Sequence, residues 1–167
     1  GATATSTATQ APATATRTPT ATATLGGVTV TPTPYGVVRL EPEDSAELRA
    51  PFAIGEEGGA SRCRYVYSDV GTSNGSLGMY FNVPIAGVYQ MWVRLQAPPY
   101  TSAFLVAFDD STGASAFHWN PAATTSWTWV KVTNADAGSI PWATFMSEGG
   151  HYIFLAALRG GAKIDAI

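Results

Sequence analysis

From Val37 to Ile167 apolar and polar side chains alternate in short runs divided by turn residues, and no stretch carries the 3.6-residue period of an amphipathic helix. The clearest run is Gly87-Val88-Tyr89-Gln90-Met91-Trp92-Val93-Arg94-Leu95-Gln96. Its positions Tyr89, Met91, Val93 and Leu95 are apolar, while Gln90, Arg94 and Gln96 are polar, which predicts a central strand with one buried face. Trp92 falls on the polar side of that strand. It is therefore expected to face solvent, and it becomes the first candidate for contact with something other than the core.

The same pattern predicts further strands. Val38 and Leu40 open the domain, and Cys63, Tyr65 and Tyr67 form an inward row before the loop Ser68 to Gly75. Leu77, Met79, Phe81 and Val83 face one way, then Pro84-Ile85-Ala86-Gly87 turns into the central strand. Phe104, Val106 and Phe108 make the next inward row, closed by the turn Asp109-Asp110-Ser111-Thr112-Gly113. Runs at 116–119, 127–132, 142–145, 152–158 and 162–167 complete the series. Short strands at this spacing predict an all-β fold, a two-sheet antiparallel jelly-roll sandwich with an extended N-terminal tail. Trp127 and Trp129 are expected in its core, and Trp119 and Trp142 at sheet edges.

The tail is a different kind of sequence. Residues 1–24 are almost entirely Ala, Thr and Pro, with Arg17 as their one charge and no large apolar side chain, so they cannot build a core. The chain is therefore divided into a tail, 1–36, and a sandwich, 37–167. Thr3, Thr5, Thr7, Thr9, Thr14, Thr16, Thr18, Thr20, Thr22 and Thr24 are candidate O-glycan acceptors, and crowded sugars would hold the segment extended. A short apolar alternation follows through Val28 and Val30, before Pro32 and Pro34 restrict any central ladder. Twenty-four extended residues span on the order of 75 to 80 Å, about twice the width of a compact domain of ~130 residues, so such a tail could cross a neighbouring copy.

Composition narrows the function. Of the 167 residues 46% are hydrophobic and 11% aromatic, enough for a packed core, while 13% are charged and the net charge is −3. No basic footprint for nucleic acid is present, and no apolar run approaches the ~18 residues of a spanning helix. A chain opening on Gly1 rather than Met is expected to have lost a secretion signal, which places the protein outside the cell. Cys63 is the single cysteine, expected as a small buried residue, and it excludes an intrachain disulfide or a thiolate zinc cluster. His118 and His151 have no neighbouring nucleophile motif and no metal-binding spacing, and the pairs Asp109-Asp110 and Glu56-Glu57 sit in turn sequences, so no enzyme activity is expected.

Several segments carry a resemblance. Val83-Pro84-Ile85-Ala86-Gly87-Val88-Tyr89-Gln90-Met91-Trp92-Val93-Arg94 resembles the "P-x-x-G-x-Y-x-(apolar)-x-V-R" segment of the jelly-roll carbohydrate-binding modules related to families six and thirty-five. In order, Leu40-Glu41-Pro42-Glu43 resembles their opening "E-A-E" strand, 104–110 their "V-x-V-D-G" hairpin and Trp127 with Val130 and Val132 their "W-x-x-V-x-V" strand. Gly149 to Phe154 resembles "G-x-H-x-(apolar)", and 163–167 the closing "(apolar)-D-x-I". The resemblance implies a structural calcium ion held by Glu41, Glu43 and Asp165, with Pro42 departing from the family's small residue. It also implies aromatic platforms for sugar, for which Tyr67, Tyr100 and Trp119 with Asn120 are the candidates. Where the family places an Asn before its last strand this chain has Arg159-Gly160-Gly161-Ala162.

Two functions fit. The first is a structural subunit of an extracellular, pilus-like cell-surface filament, a head-to-tail homopolymer in which the tail joins copies as a donor strand, with Val28, Val30 and Trp92 at the joint. The alternative is a non-catalytic carbohydrate-binding module that recognises polysaccharide and is tethered by a Thr/Pro linker.

Overall fold

A computed structural model of the chain describes residues 36–99 and 102–167. By backbone contacts the chain divides into the units Gly1–Thr33 and Pro34–Ile167, and every element below belongs to the second. The tail positions Val28 and Val30, the threonine acceptors from Thr3 to Thr24, and Tyr100 lie outside the described residues.

The strands in chain order are β1 (Glu47–Arg49), β2 (Ala53–Glu56), β3 (Arg64–Tyr67), β4 (Ser76–Val83), β5 (Gly87–Gln90), β6 (Trp92–Ala97) and β7 (Ala103–Phe108), followed by β8 (Phe117–Trp119), β9 (Thr124–Lys131), β10 (Thr133–Asn134), β11 (Ile140–Pro141), β12 (Ala143–Met146), β13 (Gly149–Arg159) and β14 (Lys163–Ala166). They form two five-stranded sheets of order β1-β4-β13-β7-β8 and β2-β3-β14-β6-β9, with two small ribbons, β5-β12 and β10-β11. All pairings are antiparallel. The expected two-sheet jelly-roll sandwich is the observed fold.

Period-two alternation places the core between the sheets. Leu77, Met79 and Val83 from β4, Phe104 and Val106 from β7, and Ile153, Leu155 and Ala157 from β13 meet Val66, Val93, Leu95 and Ile164 from the facing sheet, all of them buried. Each large aliphatic side chain so enclosed contributes roughly 1.5 to 3 kcal/mol relative to exposure. The opening segment of this unit is tied to its last residue: Leu40 N–H donates to the Ile167 carbonyl at 2.8 Å, and Ile167 N–H donates to the Leu40 carbonyl at 3.0 Å.

Several expectations are corrected. The run from Gly87 to Gln96 is two strands. β5 pairs with β12, β6 lies between β14 and β9, and the chain changes partners at Met91, whose side chain is buried. Cys63 is exposed, because Ser61–Cys63 is a 3-10 turn with left-handed backbone at Arg62 and Cys63, so strand alternation begins only at Arg64. Glu41 to Asp44 is not an opening strand: Pro42–Asp44 is a 3-10 turn, since Pro42 has no N–H for a ladder and its fixed φ suits a first helical position. Trp129 lies outside the core at 43% exposure and Trp119 lies inside it at 0%, the reverse of expectation.

Candidate functional site

The outer face of the β2-β3-β14-β6-β9 sheet is unusually aromatic. Val93 pairs with Val130 and both turn inward, so their neighbours Trp92, Arg94, Trp129 and Lys131 turn outward. Trp92, at 42% exposure, faces solvent as its place in the alternation predicted. Trp127, two residues before Trp129, lies half-buried on the same outer face and not in the core where it was expected, because Val130 and Val132 take the core side of that segment. Across the sheet, Val66 is buried, which turns Tyr65 and Tyr67 outward, the reverse of the inward row expected of them, because the 3-10 turn ending at Cys63 sets the strand's phase.

These side chains form a row. Tyr67 and Tyr65 have ring centroids 5.7 Å apart, and Tyr65 and Trp127 are also 5.7 Å apart. The Arg94 guanidinium lies 5.7 Å from the Trp127 ring, Lys163 Nζ 5.0 Å from Tyr65, and Lys131 Nζ 4.9 Å from Trp92. Cations over ring faces are attracted by the ring quadrupole. Two glycines make room for the rings: a Cβ on Gly55 would lie 2.5 Å from Tyr65, and one on Gly59 2.9 Å from Trp127.

At the Trp92 end the row opens into a cleft of about 500 Å³, lined by Trp92, Trp129, Trp142, Phe108, Tyr89 and the segment from Gly36 to Leu40. Its floor is set by Trp142 stacked on Phe108, with centroids 3.9 Å apart and planes 8° from parallel. A mostly apolar, aromatic cleft of this size, with Gln90 and Arg39 at hand, has the makeup of a small-ligand site.

Of the aromatics expected at the loop tips, Tyr67 and Trp119 fall among the described residues. Tyr67 is half-buried and belongs to the sheet-face row. Trp119 is enclosed and stacked on Phe104 at 5.4 Å, so its ring offers no face to a ligand. Asn120 lines a separate cleft at the far end of β6, with His118, Pro98, Pro121 and Arg159. Trp129 and Trp127 are the binding candidates that the sequence pattern missed. Their signal was available in Val130 and Val132, which claim the core face of that segment.

Of the three carboxylates named for a metal, Ser61 joins two, Asp165 and Glu41. Its backbone N–H donates to Asp165, and its hydroxyl donates to Glu41 Oε1 at 3.2 Å. Asp165 is the bulged residue of β14, which turns it against the β6 side chain Arg94, and its two oxygens are taken by Arg94 and Ser61. Arg39 Nε pairs with Glu41 Oε1 at 3.0 Å. Glu41 Oε2 and both Glu43 oxygens are buried without a hydrogen-bond partner, and burial raises the Glu43 carboxyl above its ordinary range, with the nearby Glu41 charge adding to it. Those orphaned oxygens fit a cation, and the bonded Asp165 does not. Among the described residues no three His, Cys, Asp or Glu side chains form a metal-binding group.

Each histidine ring lies against a carboxylate. His151 is buried, its Nδ1 2.8 Å from Asp109 Oδ2 and its Nε2 2.8 Å from the Ser147 carbonyl, and the Asp109 hydrogen bond followed by the carbonyl raises its pKa. His118 Nδ1 lies 2.8 Å from Asp136. Asp110 accepts from the N–H groups of Thr112, Gly113 and Ser115, and from the hydroxyls of Thr112 and Ser115, which holds its carboxyl far below the usual range and confirms a turn role.

No family model matches the chain. No curated protein matches its sequence. Solved structures do. The family 35 carbohydrate binding module from Clostridium thermocellum aligns with a TM-score of 0.59 at 18% identity, covering 78% of this chain and 96% of that one. A carbohydrate binding module of Cellvibrio mixtus lichenase 5A, in complex with cellotriose, aligns at 0.52 and 16%, covering 78% and 94%. Matches also occur within larger enzymes, where this chain spans only 17% of a Paenibacillus cycloisomaltooligosaccharide glucanotransferase and 26% of a Podospora anserina mannanase. Identities this low establish shared architecture, and on that basis the sandwich has the jelly-roll fold of the family 6 and family 35 carbohydrate-binding modules.

Proposed function

We propose that the protein is a non-catalytic carbohydrate-binding module that takes a glycan on the outer face of its β2-β3-β14-β6-β9 sheet. The observation that carries this reading is the aromatic face on which Tyr67, Tyr65 and Trp127 are in ring contact and Trp129 and Trp92, about two-fifths exposed, stand on the adjoining positions of β9 and β6. Pyranose rings present apolar C–H faces that stack on indole, and Arg94, Gln96 and Gln90 stand beside the rings to meet hydroxyls. The fold neighbours support the same class of partner. An extracellular setting follows from a polysaccharide ligand. The filament subunit that the tail suggests draws no support from the described residues or from the neighbours. Within this reading Glu41 and Glu43 hold a calcium ion, which would neutralise their unpartnered oxygens and fix the entry of the chain against its last strand.

The test is binding to a panel of soluble and insoluble polysaccharides, with W129A and W92A beside the unaltered chain. Removal of either ring is expected to weaken binding by about tenfold or more, the loss typical of a central aromatic contact. Undiminished binding by both variants would move the site elsewhere, with the Asn120 cleft the next to be tested.

A further inference from the structure

The cleft beside Trp92 reaches deeper than a sugar lying on the sheet face would. Phe81, Phe108 and Ile153 of one sheet and Trp92 and Trp129 of the other all line it, together with Tyr89 and Met146 of the β5-β12 ribbon. Ile153, Met91 and Met146 are at most 6% exposed, so the cleft runs from the indoles into the mouth of the sandwich. Its polar groups are largely engaged. The Tyr89 hydroxyl donates to the Ile85 carbonyl at 2.7 Å, and Arg39 is held by Glu41 at 3.0 Å and by the Ser61 hydroxyl at 2.7 Å. Among the described residues no carboxylate lines the cleft. Sugar hydroxyls pushed in here would lose water and find few partners, which is unfavourable.

We propose that this cleft is a subsite for an aromatic ring, a phenyl or phenolic group carried as an aglycone or ester by the glycan whose sugar rests on Trp92 and Trp129. The inference rests on the sheet-face reading and adds to it the chemistry of a substituent. Three features of the lining favour a π system over an aliphatic group of the same size. Phe81, Tyr89 and Trp142 offer ring faces and edges for offset or edge-on contact. The sulfurs of Met91 and Met146 are polarisable and favour a ring edge. The guanidinium of Arg39, fixed by Glu41 and Ser61, supplies a planar cation for a ring face. An aliphatic group would gain burial alone.

Calorimetric titration of the full chain with phenyl, cyclohexyl and methyl β-cellobioside, and with phenol alone, tests this. The phenyl glycoside is expected to bind about tenfold or more tightly than the methyl one, as burial of a ring gives, and about threefold more tightly than the cyclohexyl one. Val38 lines the cleft from the entry segment, so V38F fills the space and should bring the phenyl-to-methyl ratio towards one. In the unaltered chain, nuclear Overhauser contacts are expected from the phenyl protons to the methyl groups of Met146 and Ile153, which a ring lying on the outer indoles cannot reach. Equal phenyl and methyl affinities, a cyclohexyl glycoside bound as tightly as the phenyl one, or contacts confined to Trp92 and Trp129 overturn the inference. A phenyl gain that V38F leaves intact does so as well. Phenol separates the two readings. Phenol contacts to Met146, with no affinity added by the sugar, keep the cleft as a ring site and count against the sheet-face platform. Methyl cellobioside binding that W129A abolishes, without a phenyl gain, keeps the platform and removes the cleft subsite.

Discussion

β8 and β9 follow one another in the chain, each carries tryptophan, and each is the edge of a different sheet, yet their indoles meet opposite fates. Trp119 in β8 shares the core face with Phe117 and is enclosed, stacked on Phe104. Trp129 in β9 has Val130 beside it, and because Val130 packs against the core, Trp129 is turned to solvent beside Trp92. Large aromatic side chains in one small domain therefore divide into those that hold the sandwich together and those that its faces present. What separates them is the choice of face made by the neighbouring residue.

The strongest way to break this comparison is to truncate both rings. W119A is expected to lower unfolding free energy by roughly 3 to 5 kcal/mol, as large-to-small core changes do, whereas W129A should change it by no more than about 1 kcal/mol. Denaturant unfolding of the two variants checks this, and similar losses in both would mean that Trp129 is packing rather than presentation.

An intermediate effect is expected at the chain entry, where Glu43 is buried like Trp119 but carries a group that prefers water. Calcium should raise the melting temperature by several degrees, in line with mass-action stabilisation of ~2 to 3 kcal/mol at saturating ligand, and a chelator should reverse it. E43Q should lose that response and, in chelator, should melt no lower than the unaltered chain, because it no longer buries an unpartnered carboxylate. A calcium response that survives in E43Q would exclude Glu43 as a ligand.

The smallest effect concerns His151, which ties the turn before β13 to the Asp109 turn. Its pKa is raised in the fold, so its contribution is fully present below the unfolded value near 6.5 and is lost as pH rises through the folded value. The melting-temperature gap between the unaltered chain and H151Q should thus be widest at about pH 5 and narrow towards about pH 9. A gap that does not vary with pH would show that only the neutral ring matters.

Legibility differed between fold and site. Leu77, Met79, Val83, Phe104 and Val106 lie inside as their alternation predicted, and the first and last segments are hydrogen-bonded through Leu40 and Ile167, as the closing of a sandwich requires. Trp92 was legible because it stood among Gln90, Arg94 and Gln96. Trp129 was missed although Val130 and Val132 alternate with it on the core face, because Thr128 on its other side is exposed and the pairing of β9 with β6 is what fixes that face.

By itself, then, the sequence determined the period of two, the turn positions and hence the all-β sandwich. These depend on local backbone preference and on which side chains avoid water, and both are properties of short segments. Only the tertiary structure decided that the run from Gly87 to Gln96 divides at Met91, that a bulge turns Asp165 towards Arg94, and that Tyr65, Tyr67, Trp127, Trp129 and Trp92 share one face with Lys131. A strand's alternation fixes two faces but not which of them is covered. That choice depends on cross-strand partners far away in the chain, such as Val93 for Val130, and so it appears only once the sheets are assembled.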